Sequence, residues 1–128
     1  MSTASPSVDR IRCVVRDEAE VLPPGIDDRV VCDLAQPGPL DVALADVDFV
    51  LHLASVTGKA RADQYQRVNV DGTRALVDAA RHSARARAHF VLVSSISVTF
   101  EDLHRYPYGR SKRDAEAIVR QSGLRHTI

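Results

Sequence analysis

The sequence predicts an α/β fold in which a mainly parallel β-sheet is flanked by helices. Short apolar runs alternate with helical patterns along the whole chain. The runs at 47–54 and 90–95 are nearly all apolar, as expected of strands that helices cover on both faces. The repeated order of strand and helix indicates a layered fold whose strands run parallel.

Each predicted element follows from a local pattern. Apolar or β-branched runs bounded by proline, glycine or polar residues predict strands. Apolar residues at helical spacing predict helices, and Gly123 suits the left-handed position that follows the last of them. The predicted strands cover 11–16, 29–33, 47–54, 90–95 and 124–128, and the predicted helices cover 40–45, 60–83 and 107–121.

The length of 128 residues allows one domain with a real core. We expect a single domain over 1–128, in which residues 1–9 form a frayed tail. The first residues have neither the basic region nor the apolar core of a signal peptide, so the cytoplasm is the expected location. The apolar runs are too short to span a bilayer, so no membrane partner is expected.

The charge pattern does not favour a nucleic-acid partner, because 17 basic residues balance 17 acidic ones. On the predicted helix 60–83, Val68, Gly72, Leu76 and Ala79 share the face that we expect to be buried. Charged residues of both signs fall elsewhere on this helix: Arg67, Asp71, Arg74, Asp78 and Arg81. This mixture favours a solvated face over an RNA-binding surface.

The two cysteines are interpreted as structural. Cys13 and Cys32 lie in apolar, strand-like surroundings and share no metal-type spacing. Two buried thiols are therefore favoured over a disulfide or a metal pair, and no metal site is predicted.

The strongest chemical signal is the Tyr-x-x-x-Lys pattern of Tyr108 and Lys112 at the start of the last helix. Four residues along a helix separate two side chains on one face by about 6 Å along the axis. A phenol is a poor acid or base at neutral pH, but a lysine ammonium beside it favours the phenolate. The pair therefore suits proton transfer to or from a hydroxyl or carbonyl group.

Hydroxyl groups end the buried strand that precedes this helix. Ser94 and Ser95 come last in the strand, and ligands of open parallel sheets bind at the carboxyl ends of strands. A serine there would hydrogen-bond a substrate oxygen while Tyr108 moves its proton. A role as turn residues remains open for Ser94 and Ser97.

Ser95, Tyr108 and Lys112, in this order after a buried strand, resemble the Ser-Tyr-Lys triad of the short-chain dehydrogenase/reductase superfamily. The likeness is to its extended or atypical, NAD-dependent epimerase/dehydratase-like branch, and it implies a Rossmann-like, NAD(P)-binding fold. Five further segments resemble that branch: Asp33–Leu34, Asp48–Ser55, Asn69–Thr73, Phe90–Ser95 and Ser122–Leu124 with Thr127–Ile128.

The resemblance implies a role for each residue of the triad. Tyr108 would be the acid/base, Lys112 would assist it and hydrogen-bond the nicotinamide ribose, and Ser95 would orient the substrate. Asn69 is assigned to the cofactor site, where it would fix the local structure. Backbone contacts to the cofactor are implied for three residues after the third strand, namely Leu53, Ala54 and Ser55.

The resemblance also implies how the cofactor's other end is held. Asp33 and Leu34 sit where family members hold the adenine ring. Arg16 ends the strand at which the family distinguishes its cofactors, and an arginine there pairs with a 2′-phosphate. Because Asp17 follows directly, the preference for NADP over NAD is slight.

The sequence departs from the family where the pyrophosphate should bind. The family's first strand and Gly-x-x-Gly-x-x-Gly turn are absent, because no three of the six glycines have that spacing. We therefore expect a partial chain, truncated at both ends. In the usual strand order the missing strand lies in mid-sheet, so two edges would be exposed unless a homodimer or a strand-completing partner covers them.

Two functions follow from these observations. The first is an NAD(P)-dependent oxidoreductase, epimerase or dehydratase acting on a small molecule with a hydroxyl or carbonyl group. The second is a non-catalytic remnant or interaction protein of the same fold, which the missing phosphate loop favours.

Overall fold

A computed structural model describes residues 7–85 and 87–128 of the chain. Most of the predicted tail at 1–9 lies outside the described residues. Residues 7–9 are exposed and belong to no helix or strand.

Within the described part of the chain, five strands form two separate parallel sheets. β1 (Arg12–Val15) pairs with β2 (Asp28–Val31). β3 (Phe49–His52), β4 (His89–Leu92) and β5 (Arg125–Thr127) form the second sheet, in the order β3-β4-β5. The expected parallel pairing is confirmed, and the chain's fifth strand does add to β4.

The helices connect these strands in the expected order. The first is α1 (Leu40–Leu44), and a continuous helical stretch follows β3. This stretch consists of α2 (Ala62–Gln64), a π-helical segment (Tyr65–Asp71) and α3 (Gly72–Ser83). Two short 3₁₀ turns, Ile96–Thr99 and Leu103–Arg105, precede α4 (Pro107–Gln121). α4 has the predicted bounds, and Gly123 beyond it adopts the predicted left-handed conformation with φ +77°.

One core joins the two sheets. Phe90, Leu92 and Val119 are its most completely buried large apolar side chains, and Cys32 and Leu34 from the end of β2 belong to the same cluster. The Arg12 guanidinium strengthens this connection, because it donates hydrogen bonds to two backbone carbonyls of α1 at 3.0 and 2.9 Å. Cys32 is buried and Cys13 half-buried, and both are free thiols.

The expectation that helices cover both faces of the third strand is wrong. Val50 and His52 are buried, but Phe49, Leu51 and Leu53 are 71%, 60% and 63% exposed. α1 packs on α3 and α3 packs on α4, so all three lie on one side of the β3-β4-β5 sheet. Right-handed crossovers that advance in one direction across a sheet place their helices on the same face.

The predicted buried face of the long helix is confirmed only in part, because Gly72 and Leu76 are buried as expected but the other two residues are not. Val68 and Ala79 are only half-buried, whereas Asn69, Val70 and Ala80 are buried. A π-helical turn holds more residues than an α-helical one, so a spacing of 3.6 residues cannot be continued through Tyr65–Asp71. The prediction for the charged residues is confirmed, since Arg67, Arg74 and Arg81 are exposed.

No helix within residues 7–85 or 87–128 has both the length and the apolar character needed to cross a membrane.

Candidate active site at the carboxyl ends of β3 and β4

The first two turns of α4 hold Tyr108 and Lys112. Pro107 stands at the helix start, where its missing N–H has no intrahelical acceptor to bond. Tyr108 is half-buried and Lys112 is buried. The Lys112 ammonium donates a 2.7 Å hydrogen bond to the Val93 carbonyl, directly after β4. The predicted pair thus lies on a helix that is attached to the carboxyl end of β4.

Lys112 belongs to a row of charges on α4. Burial lowers the pKa of Lys112, and the Glu116 carboxylate one turn later acts in the opposite direction. Glu116 pairs with Arg120 at 2.7 Å. Burial acts to raise the pKa of Glu116, but Ser94, Arg120 and Lys112 outweigh it and the pKa is lowered. Glu116 is therefore an ionised partner inside the structure, and it limits the cost of burying the Lys112 ammonium.

Ser95 lies at the start of the 3₁₀ turn that follows β4. Its Oγ accepts hydrogen bonds from the Ser97 backbone N–H at 3.2 Å and from the Ser97 hydroxyl at 2.9 Å. Because both bonds use lone pairs of the Ser95 oxygen, its own hydroxyl hydrogen is left to donate elsewhere. Of the two residues for which a turn role was left open, Ser94 and Ser97, it is Ser97 that takes part in this turn. The buried Oγ of Ser94 makes no hydrogen bond of normal geometry to the described residues, although it is near enough to the Glu116 carboxylate to lower the pKa of that group.

A close contact joins the start of α4 to the turn that follows Ser95. A Cβ placed on Gly109 would lie 2.8 Å from the Ser97 carbonyl oxygen and 3.0 Å from Leu103 Cδ2. Only a glycine at this position lets the start of α4 approach the Ser97 turn so closely. Ser95, Tyr108 and Lys112 thus lie on two elements that pack together after the carboxyl end of β4, namely the Ser97 turn and α4.

Asn69 joins the loop after β3 to α4. Its Oδ1 accepts from the Val56 N–H at 2.7 Å and from the Ser55 hydroxyl at 3.2 Å, and its Nδ2 donates to the Val56 carbonyl at 3.1 Å. Nδ2 also donates to Ser111 Oγ at 3.0 Å, and Ser111 in turn donates to the Tyr108 carbonyl at 2.7 Å. All the hydrogen-bonding capacity of a buried amide is used to position the loop relative to Tyr108.

Two residues of this site were missed by the sequence reasoning. Ser111 lies inside the Tyr-x-x-x-Lys pattern. Its hydrogen bond to Asn69 joins residues 42 positions apart, so no local sequence pattern predicts it. Tyr65 packs its ring 6.0 Å from that of Tyr108, and its hydroxyl donates to the Gly58 carbonyl. Tyr65 could have been found from the sequence, because it lies four residues before Asn69 in a helical pattern and so shares a helix face with it.

A buried histidine lies behind the site. His52 is 3% exposed, and its Nε2 is 2.8 Å from Thr73 Oγ1, which donates its own hydrogen to the Asn69 carbonyl. Nε2 of His52 must then donate the hydrogen bond to Thr73. The neutral imidazole of His52 is therefore the tautomer that carries its proton on Nε2. Burial, with a contribution from the Lys112 charge, lowers the pKa of His52 to about 4.

The residues predicted to line the cofactor fall into two groups. Leu53 and Ala54 are exposed and Ser55 is half-buried, and all three follow β3, the strand that pairs with β4. Arg16 is exposed after β1, and Asp33 begins the turn after β2, where its carboxylate accepts from the Ala35 N–H at 2.9 Å. Leu34 is not a surface residue, because its side chain is buried against Gly72.

The residues around Lys112 suit the nicotinamide ribose end of a dinucleotide, because a buried ammonium and an open backbone loop adjoin there. The pyrophosphate end has no such site. Within the described residues, no glycine-rich turn leads from a strand into a helix. The described residues thus suit the nicotinamide ribose of the implied cofactor, but they include no group that would hold its pyrophosphate.

Comparison with known proteins agrees with this geometry. The model of the 3-beta hydroxysteroid dehydrogenase/isomerase family matches residues 9–126. The chain belongs to this family. The resemblance to the short-chain dehydrogenase/reductase superfamily and its epimerase/dehydratase-like branch is confirmed, as is the Rossmann-like fold.

This chain aligns with only part of the length of each relative described below. A ceramide reductase of Caulobacter vibrioides is 36% identical over 91 residues, which is 71% of this chain and 27% of that protein. An NAD-bound short-chain dehydrogenase/reductase superfamily protein from Agrobacterium tumefaciens is 32% identical, with a TM-score of 0.66 over 82% of this chain and 37% of its own.

A third similar protein is described as a putative NAD-dependent epimerase/dehydratase from Bacillus halodurans. It is 26% identical, with a TM-score of 0.75 over 93% of this chain and 56% of its own. The chain therefore spans between about a quarter and just over half of the relatives that it matches.

Proposed function

We propose that this chain forms the catalytic part of an NAD(P)-dependent oxidoreductase, epimerase or dehydratase of the short-chain dehydrogenase/reductase type. The observation that supports this most is that the elements carrying Ser95, Tyr108 and Lys112 meet at the carboxyl end of β4, where Lys112 bonds to the Val93 carbonyl. Ligands of open parallel sheets bind at this end of the strands.

In this proposal Tyr108 exchanges a proton with the substrate oxygen. Lys112 places a positive charge one helical turn after Tyr108, and Glu116 keeps that charge present by offsetting part of the burial cost. Ser95 donates its free hydroxyl hydrogen to the same substrate oxygen and so orients it. The substrate is a small molecule with a hydroxyl or carbonyl group.

The cofactor end nearest the chemistry would be held by Leu53, Ala54, Ser55 and Lys112, with Asn69 fixing the loop. When bound, a nicotinamide supplies hydride exchange with the substrate carbon. The Agrobacterium protein named above and a Bacillus cereus UDP-glucuronic acid 4-epimerase are described with NAD, which supports NAD. Arg16, exposed at the end of β1, supports NADP.

A non-catalytic interaction protein is the second candidate. The absence of a glycine-rich phosphate turn among the described residues favours it, because that turn supplies much of the affinity for a dinucleotide. The two candidates differ in whether this chain binds nicotinamide cofactors at all.

Titration of the purified chain with NADH and with NADPH, followed by nicotinamide fluorescence, separates the two. We expect saturable binding that Lys112→Met weakens by about tenfold, because the ribose loses a charge-assisted hydrogen bond. Tyr108→Phe should leave binding within about threefold and abolish turnover of any substrate found. Arg110→Ala, an exposed change on the same helix, is the matched control.

Circular dichroism must show that each variant is folded. If the folded chain binds neither cofactor at millimolar concentration, the enzyme proposal fails for this chain and the interaction protein remains.

A further inference from the structure

Tyr65 is a buried aromatic residue that takes no part in the proposed proton transfer. It is 5% exposed and begins the π-helical segment Tyr65–Asp71. Four residues later in this segment, Asn69 bonds to both backbone groups of Val56 and so holds the first half of the loop 53–60 that follows β3. Residues four apart in a helical segment share a face, and Tyr65 accordingly faces the second half of the same loop.

The hydroxyl of Tyr65 holds this second half of the loop. It donates to the Gly58 carbonyl, and it accepts a hydrogen bond from the Ala60 N–H at 3.2 Å. Gly58 adopts a left-handed conformation with φ +73°, so the chain turns sharply at the first of these two contacts. Because residues 57–59 are exposed and belong to no helix or strand, we expect the order of the loop tip to depend on the hydrogen bonds to Tyr65.

The ring of Tyr65 packs against the ring of Tyr108 on α4. The ring centroids are 6.0 Å apart, and the ring planes are inclined by 56°. Aromatic pairs attract one another at centroid distances of about 4.5–7 Å, and they favour particular mutual orientations. Tyr108 is only half-buried, so a buried ring at its side restricts the directions in which its phenol can point. One side chain therefore contacts both the loop after β3 and the candidate acid/base.

We propose that Tyr65 is a positioning residue of the candidate active site. Its ring holds the orientation of the Tyr108 ring, and its hydroxyl holds the loop 53–60 in a single conformation. Groups that act together at a site are effective only when packing and hydrogen bonds keep them in place. The value of this arrangement for a cofactor and a substrate rests on the proposed function, whereas the two contacts themselves exist in the chain alone.

The two contacts belong to different parts of the side chain, so two substitutions separate them. Tyr65→Phe removes the hydroxyl and keeps the ring. Tyr65→Leu removes both and keeps an apolar side chain in the buried position. The matched control is Tyr106→Phe, which removes the hydroxyl of a tyrosine that is 49% exposed and packs against Phe100.

Amide hydrogen exchange of the full chain, resolved by residue with NMR, tests the role of the hydroxyl. In Tyr65→Phe the Ala60 N–H loses its acceptor, so its exchange should become at least about tenfold faster. The Val56 N–H keeps its acceptor on Asn69, so its exchange rate should stay within about twofold of that in the unchanged chain. Tyr106→Phe should leave both rates unchanged.

NMR relaxation of isotope-labelled tyrosine rings tests the role of the ring, and the chain has only 3 tyrosines to resolve. The order parameter of the Tyr108 ring should keep its value in Tyr65→Phe, which retains the aromatic contact, and fall below about 0.6 in Tyr65→Leu. The Tyr106 ring, which lies 5.2 Å from that of Phe100, should be unaffected in both variants and is the internal reference. If Tyr65→Leu fails to fold, Tyr65→Met fills the same space without a ring.

Three results would overturn the proposal. One is an unchanged exchange rate of the Ala60 amide in Tyr65→Phe. Another is a Tyr108 ring that stays rigid in Tyr65→Leu or Tyr65→Met. The third is a general loosening, in which the Val56 amide and the Tyr106 ring change as much as Ala60 and Tyr108, since Tyr65 would then only stabilise the fold. None of these measurements requires a bound cofactor, so a chain that binds neither NADH nor NADPH would contradict the proposed function and leave the role of Tyr65 to be decided by its own test.

Discussion

Single residues at this site act mainly through the groups that surround them. Lys112 keeps its charge in a buried position because the Val93 carbonyl accepts its hydrogen bond and Glu116 lies one turn away. Asn69 has no charge, yet it connects the loop after β3 to the helix of Tyr108. We infer that the chemistry of this site depends as much on its buried polar supports as on Tyr108 itself.

The buried imidazole of His52 should make the folding stability of the chain depend on pH. Its pKa is about 4 in the folded chain and near 6.5 when unfolded, so the unfolded state binds more protons between these values. Stability should therefore fall as the pH falls, and the contribution of His52 between pH 7 and pH 5 is about 2 kcal/mol. Urea unfolding of the chain and of His52→Gln at both pH values measures this.

The variant His52→Gln should lose less stability over this interval than the unchanged chain, whatever its stability at pH 7. His104→Gln, at an exposed position, should behave like the unchanged chain. Equal losses in the unchanged chain and in His52→Gln would show that His52 does not remain neutral.

At the level of elements, the site depends on how closely α4 approaches the turn after β4. Gly109 faces the Ser97 carbonyl and Leu103, so the first turn of α4 and the two 3₁₀ turns form one packed unit. The π-helical segment Tyr65–Asp71 completes the site by directing Asn69 toward Ser111. Such segments occur frequently at functional sites.

We predict that Gly109→Ala destabilises the chain by about 2 kcal/mol, because the added Cβ would overlap the Ser97 carbonyl unless α4 moves. The matched control is Gly38→Ala, where no atom lies within 4 Å of the new Cβ and the change should stay within about 0.5 kcal/mol. Chemical denaturation measures both. Equal effects of the two changes would show that α4 can move away from the turn without loss.

At the scale of the whole molecule, the described residues contain a three-stranded sheet and a smaller two-stranded one that share one core. β4 is paired on both sides, and its Phe90 and Leu92 are almost fully buried. β1 and β2 pair only with each other in the described chain, and isolated pairs of strands are marginally stable in water. The contacts of Leu34 and Arg12 attach this pair to the rest.

Hydrogen exchange of the chain alone should therefore be uneven. We expect the amides of β1 and β2 to exchange at least about 100-fold faster than those of Phe90 and Leu92, because opening the first pair breaks fewer buried contacts. Mass spectrometry of peptides from timed labelling at pH 7 provides the rates. Similar rates in both sheets would show that the chain opens as one cooperative unit.

Much of the fold could be predicted because its signals are local. The bounds of α4, the left-handed Gly123 and the order of the strands follow from patterns within a few residues, and all three are confirmed. The triad residues could be recognised for the same reason, since Tyr108 and Lys112 share one helix turn. Their catalytic roles remain predictions.

The sequence by itself determined the types of the elements, their order and the parallel pairing of their strands. Only the tertiary structure decided which face of β3 is covered, how Asn69 reaches Ser111 across 42 positions and why His52 stays neutral. A nearly continuous apolar run shows that a strand is fit for burial, but whether a helix covers each of its faces depends on which segments pack there. Burial, long-range hydrogen bonds and pKa values depend on which residues are neighbours in space. They therefore cannot be deduced from the spacing of residues along the chain.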